Sequence, residues 1–258
     1  MVLDKRRLVG FVICTFLFTY SAWGLIIAAD RFGLFGFNTP VGTLLYICGT
    51  WAPTLFSYII LKQNKTIHTM KDFIKLTFSL KAKPKLYVLA LIFLVALYIP
   101  AMIGNGTNRD IGWFVWLPIF PLMILDGGME EVGWRYLVQP TLEKRFSFFS
   151  ATIVTACIWW TWHLPMFFIP GSGQSEMSFL LFALFIFGQS FALAAIFQAS
   201  KSVWLCIMYH ALVNTLSMYW PVGDHLPATL ASSVAAIVLS LSVVHLKQAK
   251  RHWNGDER

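Results

Sequence analysis

Charged residues are scarce in this 258-residue chain, at 12%, while 57% of it is hydrophobic, with 23 Phe and 11 Trp. So little charge excludes an ordinary water-soluble domain, and a mean hydropathy of +0.66 points to a polytopic membrane protein. Cysteine is scarce too. Cys14, Cys48, Cys157 and Cys206 lie inside apolar runs without a CxxC spacing, which indicates neither a disulfide framework nor a thiolate metal site. Internal repeats, low-complexity tracts and a separate soluble domain are absent, so residues 1–258 read as one membrane domain. The net charge of +8 would suit nucleic acid in a soluble protein. Here the basic residues sit in short loops between apolar runs and set topology instead, so nucleic-acid binding is discarded.

Eight apolar runs read as transmembrane helices, giving an all-α fold: 8–29, 41–61, 86–103, a fourth from 111, then 146–168, 177–199, 202–219 and 226–246. The first follows Lys5, Arg6 and Arg7. Cleavage as a signal peptide near Ala28 is the alternative, but about 22 apolar residues exceed a usual signal core, which favours a retained span. Pro118 and Pro121 are expected to kink the fourth. Every Lys and Arg except Arg31 and Arg109 falls on one side of this eight-span model. The positive-inside rule then places both termini in the cytoplasm, and the short loops fit a prokaryotic plasma membrane. Between the second and third spans, Met70, Phe73, Ile74 and Phe78 alternate at helical spacing with Lys71 and Lys75. That pattern suits either a helix lying on an anionic membrane surface or a solvated loop.

The stretch 127–140, GGMEEVGWRYLVQP, places charge where the membrane penalises it. A charged side chain at a bilayer centre costs roughly 2.5–3.5 kcal/mol on insertion scales, so Asp126, Glu130, Glu131 and Arg135 need internal partners and a reason to exist. Glu131 and Arg135 are four apart, with the acid first, the better order for an ion pair on a helix. Glu130 points about 100° away and stays unclaimed, on a face with Asp126 and Trp134. Gly127, Gly128 and Gly133 would let neighbouring helices approach closely.

Two further spans carry polar pairs at the same spacing: Trp159 with His163 in WWTWHLP, and His210 with Asn214 in HALVN. A free glutamate, two imidazoles and a carboxamide are what peptide hydrolysis asks for: a base for water, a group to orient it, and donors for the oxyanion. Glu130 would be the base and His163 the water-positioning group, with His210 and Asn214 as oxyanion donors. Alternatively Glu130, His163 and His210 would bind a catalytic Zn2+ with one position open. Spacing does not choose between the two. A non-enzymatic partner-binding protein, or a carrier using these groups as a proton relay, is the competing class.

The set EEVGWR at 130–135, WHLP at 162–165 and HALVN at 210–214 resembles the CPBP intramembrane proteases, which join CAAX prenyl endopeptidases to bacteriocin-processing and self-immunity proteins. Their pattern of EExxxR, FxxxH and HxxxN on separate helices is matched in order, with Trp159 where the second motif usually has Phe. The resemblance covers about 127–214. It implies an endopeptidase with a core catalytic region at about 111–220, Glu130 and His163 activating water, His210 and Asn214 at the oxyanion, and Glu131 and Arg135 in support. The expected substrate is a membrane-associated peptide or protein tail, reached through a polar cavity open to the cytoplasm.

One geometric conflict accompanies this reading. A fifth helix beginning at Phe146 would carry His163 about 25 Å along it, nearer the outer side than Glu130 if the acidic motif ends the fourth span. A shared site would then require 138–151 to lie along the inner interface and the spanning helix to start later.

Overall fold

The computed structural model describes residues 2–107, 112–223 and 225–253. It is 79% helical, with no strand among the described residues. Arg109 and the last five residues lie outside them. Four helices are long and apolar enough to cross a membrane: α1 (Lys5–Arg31), α5 (Pro84–Asn105), α9 (Phe179–Ser200) and α11 (Leu226–Trp253). The second apolar run is divided into α2 (Pro40–Thr50) and α3 (Ala52–Gln63), bent by 45° at Trp51, so that the pair counts as one broken span and raises the total to five. Pro53 accounts for the bend, because its ring cannot donate and clashes with the carbonyl four residues back.

The polar loop 62–85 contains a real helix, α4 (Met70–Thr77), opened by a reciprocal capping box between Thr69 and Asp72. Hydrogen bonds from the Thr69 backbone and hydroxyl hold the Asp72 carboxyl below its ordinary pKa. Phe73 packs edge-on against Tyr58, while Met70 and Ile74 remain exposed beside the lysines.

The fourth run is the irregular one. It starts as α6 (Trp116–Leu125), passes through Pro121 without breaking, and breaks instead at Asp126 and Gly127. Gly127 has φ +95°, and a Cβ there would meet the Asn214 Nδ2 at 2.5 Å, so both the backbone and the space require glycine. A short 3-10 turn, Gly128–Glu130, leads into a π-helical segment, Val132–Val138, and then α7 (Gln139–Leu142). Such π segments recur at functional sites. Gly133 sits against Phe11 of α1 and Pro53 of α3, at the close approach expected of it.

After a turn at 143–147, Ser147 caps α8 (Phe148–Trp162), which stops where Pro165 follows His163. Ser202 caps α10 (Val203–Ser217). Apolar burial gives little drive between helices in lipid, so hydroxyl hydrogen bonds matter in proportion. The Trp162 indole donates to Thr19 Oγ1 at 2.9 Å, and Thr19 donates on to the Gly49 carbonyl at 2.8 Å, tying α8 to α1 and α2. Ser232 and Ser233 of α11 donate to the Leu97 and Leu184 carbonyls, each at 2.7 Å.

The expected late start of the fifth helix is a misreading. α8 begins at Phe148, and what was misplaced is Glu130, which does not end the fourth run. Residue 131 lies 12 before the turn at 143–147 and residue 159 lies 12 after it, so the two arms of a helical hairpin carry both to the same level.

Candidate active site

Glu130 lies at the base of a cavity of about 380 Å³, walled by α1, α2, α6, α8, α9 and α10, a size usual for ligand pockets. The side chain is 4% exposed. Its Oε2 accepts from two indoles, Trp159 Nε1 at 2.9 Å and Trp134 Nε1 at 3.3 Å. Both contacts fall on one oxygen, which leaves Oε1 for a substrate or water.

Glu131 is bound differently. Arg135 Nε lies 2.9 Å from its Oε2, and His210 Nδ1 lies 2.8 Å from its Oε1. Glu131 and Arg135 are fully buried. Arg135 also donates through Nη1 to Ser190 Oγ at 3.1 Å and stacks over the Trp159 ring at 5.1 Å. The sequence-expected pair therefore exists, and it carries two partners that spacing could not show, His210 and Ser190.

The histidines have assignable tautomers. His163 Nδ1 lies 2.7 Å from the Trp159 carbonyl, an acceptor only, so Nδ1 carries hydrogen and Nε2 is left for the cavity the ring lines. His210 likewise donates Nδ1–H to Glu131, which holds its ring with Nε2 near Asn214 Nδ2 at the Gly127 break. Trp159 is the hub: its ring centroid is 5.6 Å from His163 and 5.4 Å from His210. The structure thus brings Glu130, His163, His210, Asn214 and Trp159 around one cavity, with Glu131 and Arg135 immediately behind.

Zinc fits less well. Among the described residues no group of three or more His, Cys, Asp or Glu side chains is arranged to hold a metal ion. Nδ1 of each histidine is engaged by an oxygen, which is also how metal-ligating histidines are held, so it is the lack of a three-ligand group alone that leaves no step routed through a metal.

Sequence reasoning placed α9 as a span but missed its part in the cavity. Its Phe182, Ile186, Gln189 and Leu193 line the cavity, and Gln189 is 3% exposed with Oε1 lacking a hydrogen-bond partner. A lone carboxamide in the middle of an apolar run was the available signal. Asp126, Tyr46 and Thr50 add polar groups to the opposite wall.

From Glu130 the cavity lining extends to Gln174, Met177 and Val222. In the other direction Trp134, Leu137 and Val138 close it with no exposed surface. The cavity lining therefore lies toward the bundle end opposite the lysine-rich loops.

Two comparisons with known proteins bear on the site. A family model for type II CAAX prenyl endopeptidases, Rce1-like, matches residues 112–216, a range containing all three motifs. CAAX prenyl protease 2 of Methanococcus maripaludis is 27% identical over 227 residues, covering 79% of this chain and 81% of that protein. Both bear out the resemblance carried by the three motifs.

Proposed function

We propose that this chain, a relative of the CPBP intramembrane proteases, is an intramembrane endopeptidase that cleaves a membrane-associated peptide or protein tail with water activated by Glu130. The observation that carries this reading is the division of labour between adjacent carboxylates. Glu131 is consumed by Arg135 and His210, whereas Glu130 faces a cavity with one oxygen fixed by two indoles and the other unclaimed. A structural salt-bridge cluster would have no use for the second arrangement.

The chemistry follows from the geometry. Glu130 Oε1 takes a proton from a water that His163 Nε2 orients by accepting its second hydrogen. The water oxygen bonds to the scissile carbonyl carbon as the C=O π electrons move onto oxygen. Asn214 Nδ2 and a protonated His210 Nε2 donate to that oxyanion, and Glu131 behind His210 keeps the ring aimed. Collapse of the oxyanion breaks the C–N bond, and the leaving nitrogen takes the proton from Glu130. Trp159 fixes the carboxylate and walls the site.

In this reading eight spans are retained. α2 and α3 form the second, α6 through α7 the fourth, and the hairpin to α8 carries the two halves of the water-activating pair. Prenylated tails, as the name of the archaeal relative suggests, and unprenylated leader peptides are both substrates to try.

The test is cleavage of membrane-anchored peptides, with and without an isoprenoid, by detergent-purified protein beside Glu130→Gln. Cleavage by the wild type and none by the variant is expected. Equal cleavage by both would remove Glu130 as base. A chelator followed by zinc decides the metal question: the mechanism above predicts undiminished cleavage.

A further inference from the structure

The side of the membrane from which substrate enters follows from where charge and cavity lie along the bundle. The basic segments converge on one end. The Leu3 amide at the N-terminus donates to Thr141 Oγ1 at 3.0 Å, Phe78 just after α4 packs on Trp204 at the start of α10, and Lys247 of α11 donates to the Gln198 carbonyl. That end carries Lys5, Arg6 and Arg7, the seven lysines of 62–85, Lys144, Arg145 and Lys201. At the other end Trp220 Nε1 donates to Thr107 Oγ1 at 3.1 Å and Gly171 approaches Asn38, which gathers the loops after α1, α5, the 164–168 turn and α10. Arg31 is the basic residue there among the described residues.

The cavity belongs to this second end. On α9 its walls are Phe182 to Leu193, in the half that begins at that end, and on α10 they are His210 to Ser217, in the half that finishes there. Beyond Glu130, toward the basic end, Arg135 and Trp134 seal the bundle. Loops this rich in Lys are retained in the cytoplasm, each charge being costly to translocate.

We infer that the cavity opens on the non-cytoplasmic face, and that the substrate is a segment of a membrane-associated peptide or membrane protein exposed on that face. This rests on the endopeptidase reading for the nature of the substrate but not for the orientation. The enzyme then acts on chains already exported or inserted, since a tail lying on the cytoplasmic surface meets only the sealed end.

Two measurements test it on the full chain. Cysteine is introduced at exposed Glu176 or exposed Lys81 in a background with Cys14, Cys48, Cys157 and Cys206 changed to Ala, with detergent cleavage by that background checked first. A membrane-impermeant maleimide should label Glu176→Cys in intact cells and Lys81→Cys only after permeabilisation. The reverse pattern overturns the inference. A peptide cleaved in detergent is then given to right-side-out and inverted vesicles. Cleavage is expected in the right-side-out set and lost in the inverted set until detergent is added, and cleavage confined to inverted vesicles contradicts the proposal. If no peptide is cleaved even in detergent, the endopeptidase reading fails while the labelling still decides the orientation.

Discussion

From Glu130 toward Met177 the bundle is hollow, whereas from Glu131 toward Leu142 it is solid and its carboxylate is spent on Arg135 and His210, although Arg135 Nη2 and Gln139 Oε1 there find no partner. The two halves meet between adjacent residues of one chain. Behind the cavity, Arg135, Glu131, His210 and Ser190 form a connected buried network in which both oxygens of Glu131 are taken, while Arg135 Nη2 has no partner and His210 also reaches the cavity wall. In the hollow half, Glu130, His163 and Gln189 are buried and Asn214 is half-buried, and all four line a cavity. The contrast teaches that charge inside a membrane protein serves two ends, and that the partners of each carboxylate, more than its burial, tell them apart.

The largest way to break the comparison is to open the solid half. Arg135→Met leaves Glu131 with one partner fewer in a fully buried site, and removing one member of such a pair costs about 3–5 kcal/mol. A large fall in the detergent unfolding midpoint is expected; an unchanged midpoint would show that the network is ornamental. In the hollow half, Asn214→Ala should lower kcat about 10²–10³-fold, as loss of an oxyanion donor does, with the midpoint little changed. Cleavage kinetics and a melting scan on the same sample separate the two behaviours.

A smaller effect sharpens the boundary. Gln189→Leu fills the same space without the carboxamide, so KM should rise about tenfold, the worth of one hydrogen bond, while kcat holds and Gln189→Asn partly recovers. A kcat loss at constant KM would move Gln189 from substrate binding into the chemistry. Smallest is Thr69→Ala, far from both halves, which removes the cap of α4 for about 1 kcal/mol and should leave cleavage untouched.

Much of the site was legible because its residues pair at i and i+4 within single helices: Glu131 with Arg135, Trp159 with His163, His210 with Asn214. Helical spacing shows such pairs without any tertiary information. What crossed between helices was not legible. The Trp159 indole reaches Glu130 across 29 residues and His210 reaches Glu131 across 79, and nothing local encodes either. α9 hid for another reason. A helix apolar on nearly every side has no periodic face to read, so the mid-helix Gln189 was the mark of the side that meets the cavity. The sequence also shows the basic loops but not the end toward which the cavity lies, because that depends on which halves of six elements wall it.

The most direct test compares Glu130→Gln with Glu131→Gln by measuring cleavage rate and unfolding midpoint on each purified protein. The account predicts that Glu130→Gln loses about 10²–10⁴-fold in rate with its midpoint kept, and that Glu131→Gln loses its midpoint first. A Glu130→Gln protein that unfolds easily, or a stable Glu131→Gln protein that alone is inactive, would contradict the division between the two carboxylates.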